Sequence, residues 1–437
     1  MNPGLTRDFF FMDISNLYDF FLASQGVSTD TRTLEPEQMY FALQGANFDG
    51  NRYAKQALRK GASLAVVDDP KMQDERIIVV DDSLATLQEL ARFHRKQFNC
   101  PFIGLTGSNG KTTSKELLVS VLEQRFKVGA TKGNLNNHIG VPLTILSLER
   151  DIELAVIEMG ANHQGEIAAL SAIAQPDHGF ITNYGKAHLE GFGGVEGVIK
   201  GKSELYDFLR GAEKTAWVHG GDSVQLERSQ GIKRFTYGEA QSNDYVVKPL
   251  GPDPQGLVGI VFQDQEMPSN LSGAYNYTNL AVAAALGAYF GLTTEEIRKG
   301  IAAYAPRNNR SQFDRTGSNF ILRDYYNANP SSMHAAIESF AGIERESKWV
   351  ILGDMFEMGE AEAAEHQAVV QKLMLYPWEK VVLIGKAFAE TEELPEALRF
   401  PTTDDAARWC SELRPTNKTV LIKGSRGMAL EQIADLL

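Results

Sequence analysis

The chain has 437 residues, beyond the ~250–300 at which one hydrophobic core stops growing, so two or three domains are expected. Hydrophobic residues make up 43% and charged residues 23%, an ordinary globular balance that argues against intrinsic disorder. Lys and Arg total 43 against 56 Asp and Glu, and a net charge of −13 disfavours nucleic acid or an anionic membrane as a general partner, since both need a basic face.

Two cysteines, Cys100 and Cys410, cannot build a disulfide framework and lack the spacing of a zinc site. Asp8, Asp13 and Asp19 interrupt the Phe-rich N-terminus before a signal-peptide core forms. No charge-free run reaches the ~20 apolar residues of a membrane span. A soluble, cytoplasmic, multidomain protein is the expectation.

In chain order, a turn at Ser28–Arg32 precedes a short strand at Met39–Leu43, a Gly-rich loop with Gly45 and Gly50, and a helix near Ala54–Lys60. Apolar runs at Leu64–Val67 and Ile77–Val80 complete a small α/β unit. Leu84, Leu87, Leu90 and Phe93 then recur at helical spacing over Leu84–Gln97, and a domain boundary is placed just before them. From Phe102 onward apolar strands (Phe102–Leu105, Leu154–Ile157, Gly179–Ile181) alternate with helical stretches, which predicts a mainly parallel sheet covered by helices. Short strands and turns between Lys214 and Gln265 read as a β-rich extension. An Ala-rich helix over Asn279–Gly291 follows, and Arg307-Asn308-Asn309-Arg310 reads as a linker. Strands at Ile321–Arg323, Trp349–Leu352, Lys380–Ile384 and Thr419–Ile422 then alternate with helices as a separate Rossmann-like α/β domain.

The strongest chemical signal is Thr106-Gly107-Ser108-Asn109-Gly110-Lys111-Thr112-Thr113, between a predicted strand and a helix. Glycines let the backbone wrap a phosphate, and the amides with the helix N-terminus supply positive potential. Lys111 suits terminal phosphates and the Thr112 hydroxyl suits Mg²⁺. The strict Walker A spacing is not met, because Leu105 stands where its first glycine belongs. Glu158 ends the strand Leu154–Ile157, a place for a magnesium ligand, although such a residue is ordinarily just solvated. His188 sits in the Gly-rich stretch Asn183–Gly191 after another strand; a lone His is more often a surface or core residue. Gly133–His138, with Asn134, Asn136, Asn137 and His138, and Tyr326–Pro330, with Asn327 and Asn329, are dense in small polar groups that usually just make turns. Lys423-Gly424-Ser425-Arg426-Gly427 follows a strand and is expected to open a helix, a setting that suits a carboxylate or phosphate.

Together these segments resemble the Mur ligases, ATP-dependent enzymes that add amino acids in peptidoglycan synthesis. The resemblance covers nearly the whole chain and rests on Thr106–Thr113, Gly133–Pro142, Ile157–Ala161, His188–Gly193, Asn276–Asn279, Tyr326–Pro330, Leu352–Gly359 and Lys423–Arg426. It implies three domains: 1–83 for the UDP-muramoyl-peptide, 84–309 for ATP, and 310–437, Rossmann-like, for the acceptor. Tyr326–Pro330 and Leu352–Gly359 point to the member that joins D-alanyl-D-alanine to UDP-N-acetylmuramoyl-tripeptide through an acyl phosphate. The implied nucleotide contacts are Gly107–Thr113, Asn276, Asn279, Arg310 and Asp324. Two Mg²⁺ ions are implied, with Thr112 and Glu158 on one and His188 on the other. Lys202, if carbamylated, would help hold the second, and Lys200 competes for that assignment. Thr31, Arg32, Gly45, Asn134, Asn136, Asn137 and His138 fall on the donor-substrate side. Asn327, Asn329, Lys423, Ser425 and Arg426 fall on the acceptor side. Tyr275, Asn309 and Asn51 depart from the family's usual His, Gly and His, and Ser203 replaces the Gly after Lys202. A monomer is expected. A sister ligase, or a folylpolyglutamate synthase, is the nearest alternative; a GTP switch is disfavoured because Asn417-Lys418 runs into Thr419-Val420 rather than the guanine motif.

Overall fold

The computed structural model describes residues 13–254 and 256–437. Residues 1–12, with the Phe-rich run that Asp8 interrupts, and Gln255 lie outside the described residues. The chain divides into two compact units. One holds the residues up to Gly104 with Gly129–Met159 and Ala169–Asp177; the other holds Leu105–Val128, Gly160–Ala168 and His178–Leu437. No helix among the described residues is long and apolar enough to cross a membrane.

In the first unit, Val27–Ser28, Met39–Phe41, Leu64–Val67 and Ile77–Val79 form a four-stranded parallel sheet in that order. Its inner strands are buried along their whole length, which is why they read as continuous apolar runs rather than alternating ones. The helix Ala54–Arg59 packs Ala54, Ala57 and Leu58 against Tyr40 and Val67. Gly45 lies in a small exposed hairpin, Gln44–Gly45 with Phe48–Asp49. Asp82 caps the helix Ser83–Arg95 by accepting from the Ala85 amide at 2.9 Å, and Leu87 and Leu90 are buried as their spacing predicts. The same helix also buries His94 and Arg95, which the apolar pattern does not reveal. Arg95 donates to Asp177 at 2.8 Å, and its guanidinium carbon lies 3.7 Å from the Phe102 ring centre.

In the second unit, His178–Ile181, Thr215–His219, Lys233–Gly238 and Tyr245–Leu250 pair in parallel. Leu257–Phe262 and Gln265–Ser272 then extend the sheet antiparallel, so the expected β-rich extension is a mixed edge. Gln263 and Asp264, the two loop residues of that last hairpin, have φ of 50 and 59, the paired left-handed conformation of a tight twisted hairpin. The helix Tyr277–Tyr289 is buried continuously from Asn279 to Gly287, so its Ala-rich composition has no polar stripe.

A six-stranded sheet closes the chain. Its spatial order is Gln312–Thr316, Asn319–Asp324, Thr419–Lys423, Lys348–Gly353, Lys380–Ile384, Leu398–Phe400, all parallel except the first pair. Ile321, Ile351, Val382 and Ile422 lie in its core. One local expectation fails here. The segment after Lys423 opens a short 3-10 turn, Arg426–Met428, not an α-helix, because Ala429 takes a left-handed φ of 51; the helix starts only at Glu431.

Candidate functional site

The phosphate loop is built from the conformations only glycine takes freely. Gly107 has φ 143 and Gly110 φ 78, and a Cβ on Gly107 would lie 1.9 Å from the Thr182 hydroxyl. The helix Lys111–Leu122 starts directly after Gly110. Lys111 Nζ folds back over the loop, donating to the carbonyls of Gly107 at 2.8 Å and Ser108 at 3.2 Å.

A second strand end braces this loop. Ser108 N donates to Asn183 O at 3.0 Å, Asn109 N to Asn183 Oδ1 at 3.1 Å, and Thr182 Oγ1 to Asn109 O at 2.6 Å. Thr182 and Asn183 are thus site-building residues that the loop motif alone does not expose. Their signal was position, since they directly follow the strand His178–Ile181. Asn276 and Asn279 are buried in a chain of hydrogen bonds. Ser114 Oγ donates to Asn279 Oδ1 at 2.8 Å, Asn279 Nδ2 to Asn276 Oδ1 at 2.8 Å, and Asn276 Nδ2 to Ser272 O at 2.7 Å. That chain anchors the first turn of the loop helix.

His188 has a left-handed φ of 52, and its Nδ1 meets the Glu357 carboxylate, which likewise has φ 63. Burial lowers the His188 pKa, Lys111 pushes it the same way, and Glu357 opposes them. Lys202 is 1% exposed on the helix Val195–Gly211, donates to Ala161 O at 3.0 Å, and packs over the Phe192 ring. Burial drives its pKa well below the usual lysine value, with the Lys111 charge acting in the same direction. Lys200 is exposed, so the two candidate lysines differ sharply. Next to Lys202, the Ser203 hydroxyl is hydrogen-bonded to Tyr184 OH at 2.9 Å, which ties that helix to the loop brace.

Residues near the C-terminal sheet join the same cluster. Asn329 Nδ2 donates to Asn109 Oδ1 at 2.7 Å, and Lys186 pairs with Glu365 at 2.5 Å. Arg310 lies over the Tyr326 ring. Asp324 and Lys423 sit opposite each other on neighbouring strands and form a buried ion pair at 2.6 Å. Asp324 also accepts from Ser311 N at 3.0 Å, and the Ser311 hydroxyl is bonded to Tyr275 OH at 2.6 Å. Ser425 is buried, its hydroxyl accepting from Phe356 N at 2.9 Å, while Arg426 and Asn327 are exposed. Gly107–Thr113, His188, Lys202, Asn276, Asn279, Arg310, Asp324, Asn327, Asn329, Lys423, Ser425 and Arg426 all belong to the second unit.

The remaining predicted residues belong to the first unit. Glu158 is 1% exposed and accepts from Asn136 Nδ2 at 2.7 Å. Asn137 Oδ1 accepts from the Gly140 amide at 2.8 Å, at the start of the helix Gly140–Leu146. Asn134 and His138 are exposed. Thr31 is buried, with its carbonyl accepting from Lys60, and Arg32 is exposed and paired with Asp30 at 2.6 Å. Among the described residues no three His, Cys, Asp or Glu side chains cluster to hold a metal by themselves.

A glycine-shaped loop between the strand Phe102–Thr106 and the helix Lys111–Leu122, with Lys111 folded over it, has the form in which α/β proteins hold a phosphate. Three family models narrow that class: "Mur ligase family, catalytic domain" matches residues 24–95, "Mur ligase middle domain" 105–287 and "Mur ligase, glutamate ligase domain" 309–426. The UDP-N-acetylmuramoyl-tripeptide–D-alanyl-D-alanine ligase of Bacillus subtilis is 34% identical over 425 residues, covering 93% of this chain and 92% of its own. Its Escherichia coli counterpart is 32% identical over 441 residues, covering 94% and 93%. A crystal structure of MurF from Acinetobacter baumannii superposes with a TM-score of 0.86 at 30% identity, over 95% of this chain and 97% of that one. MurF from Thermotoga maritima in complex with ADP gives 0.85 at 26% identity, over 96% and 97%. The chain belongs to the Mur ligase family and has its three-domain α/β fold.

Proposed function

We propose that this chain is an ATP-dependent ligase joining D-alanyl-D-alanine to the terminal carboxylate of UDP-N-acetylmuramoyl-tripeptide, with release of ADP and phosphate, as a cytoplasmic monomer. The observation that carries the reading is the glycine-shaped loop with Lys111 folded over it at 2.8 Å, braced by Asn183 and tied to Asn329 at 2.7 Å. The names of its relatives and the ADP complex of a structural neighbour support the substrates. The proposed domains are 1–83 for the UDP-linked donor, 84–309 for ATP and 310–437 for the dipeptide.

A carboxylate is a poor electrophile, so activation comes first. Its oxygen attacks the γ-phosphorus, ADP leaves, and an acyl phosphate forms. The dipeptide amine then attacks the acyl carbon, loses its proton, and inorganic phosphate departs. Lys111 exchanges its two loop carbonyls for phosphate oxygens as the nucleotide enters, while the braced loop amides keep their geometry. Asn276 and Asn279 serve the nucleotide side by holding the loop helix.

The donors proposed for the two magnesium ions suit that metal chemically, each within its own unit: the Thr112 hydroxyl and, for the second ion, the His188 ring in one unit, and the buried Glu158 carboxylate in the other. When bound, it would neutralise charge on the phosphates. Burial favours the neutral form of the Lys202 amine, the form that can add carbon dioxide and, on losing a proton to solvent, become a carbamate. A Lys202→Ala variant is therefore expected to lose ligation and to recover part of it with acetate, whereas Lys200→Ala stays near the parent; the reverse pattern would place the function on Lys200. The ligase reading is tested by phosphate release from ATP with the muramoyl tripeptide, in its diaminopimelate and lysine forms. Turnover stimulated by single amino acids but not by D-alanyl-D-alanine would overturn it.

A further inference from the structure

The Tyr326 ring carries two guanidinium groups. Arg310 Cζ lies 3.7 Å and Arg426 Cζ 5.1 Å from its centre, both inside the ~6 Å reach of a cation–π contact. The fold brings them there from distant points of the chain. Arg310 comes from the segment before the C-terminal sheet, and Arg426 follows that sheet's last strand in sequence, Thr419–Lys423. Parallel pairing sets Asp324 opposite Lys423, so the segments holding Tyr326 and Arg426 leave neighbouring strands side by side. Tyr326 N donates to Asn309 O at 3.3 Å, which ties the ring to the residue preceding Arg310.

The two charges lie within about 9 Å of each other by those distances, a range at which like charges still repel at physiological salt. Among the described residues neither arginine has a carboxylate at salt-bridge distance, and Arg310 Nε is buried without a hydrogen-bond acceptor. Two uncompensated guanidinium forks, one with an orphaned buried donor, fit an oxyanion.

We propose that Tyr326 is a positioning residue that holds Arg310 and Arg426 as one oxyanion-binding pair, the anion being a nucleotide phosphate or the carboxylate of the acceptor dipeptide. The inference rests on the ligase reading for the identity of those two anions. Its test uses calorimetric titration of ADP and of D-alanyl-D-alanine, so it does not depend on turnover; absence of dipeptide-dependent turnover in the parent would count against the ligase reading alone. Tyr326→Leu is expected to weaken one of the two ligands roughly 2- to 30-fold, the span of a cation–π contact, and the ligand affected identifies the anion. Tyr326→Phe keeps the ring face and is expected within about twofold of the parent. Unchanged affinity for both ligands in Tyr326→Leu, or equal losses in the Phe and Leu variants, would overturn the proposal. Should Tyr326→Leu not fold, Arg310→Gln, Arg426→Gln and their double variant decide. A shared anion predicts a double variant little worse than the poorer single one; additive losses would refute it.

Discussion

His188 and Glu357 meet in the left-handed backbone region, with φ of 52 and 63, where a residue other than glycine costs on the order of 1 kcal/mol or more. The His188 strain was invisible in the sequence, which offered only a histidine in a Gly-rich stretch after a strand. Glu357 could be read as part of a motif but not as a partner, since 169 residues separate the pair. Asn309 shows the opposite case. Its φ of 52 explains why asparagine can stand where the family usually has glycine, as both tolerate that region. A carboxylate on one ring nitrogen fixes the tautomer and aims the other, an arrangement whose loss typically costs 10–100-fold in activity or metal affinity. Glu357→Gln is accordingly expected to lower kcat by roughly ten- to a hundred-fold. Because Glu357 raises the His188 pKa against burial, its removal should also move the acid limb of the pH–rate profile to lower pH. A variant with parental kcat and an unmoved acid limb would show that the pair does not act in catalysis.

At the scale of elements, fully buried strands and amphipathic helices were legible because burial leaves period and composition behind. The strands Leu64–Val67 and Leu154–Glu158 and the helix Ser83–Arg95 are of this kind. What depends on one backbone angle was not legible, such as the turn at Arg426–Met428 that Ala429 enforces. The helix Pro330–Ala341 combines both sorts of information. Its start is written in Asn329-Pro330, a cap followed by a residue that favours the first helical position. That the cap also touches the phosphate loop was not written there. Asn329 Oδ1 accepts from Ser332 N at 2.9 Å while Nδ2 donates to Asn109 Oδ1 at 2.7 Å. The two functions separate by substitution. Asn329→Asp keeps the cap but sets a carboxylate oxygen against Asn109 Oδ1, so stability should hold while ATP turnover falls. Asn329→Ala loses both and should also destabilise by about 1 kcal/mol. Equal melting temperatures for the Asp and Ala variants would refute the capping half of this account, and parental turnover in Asn329→Asp the loop half.

Over the whole molecule, compactness does not follow chain order: Gly129–Met159 and Ala169–Asp177 group with the N-terminal residues. A sequence read from left to right yields consecutive domains, because periodicity reports each element's own burial and not which distant element supplies it. His94 shows this most clearly. No pattern marked it, yet it is 2% exposed, its Nδ1 is hydrogen-bonded to Tyr18 OH at 2.9 Å, and the Phe21 and Phe98 rings pack edge-on against it. Burial, aided by the nearby Arg150 charge, lowers its pKa from the ordinary histidine value of 6.5 to about 4. Between those values the unfolded chain binds a proton that the folded chain refuses, so stability rises with pH there. The contribution is complete above about pH 6.5, declines as pH falls toward 4, and changes no further below that. A shift of this size corresponds to roughly 3 kcal/mol. His94→Gln, which takes up no proton in this range, should be less stable than the parent at pH 7.5 but lose less stability on acidification to pH 4.5. Denaturant unfolding of both proteins across that interval measures the difference. Parallel stability curves would mean that the His94 ring titrates alike in the folded and unfolded chain, and the pH dependence would then have to come from other groups.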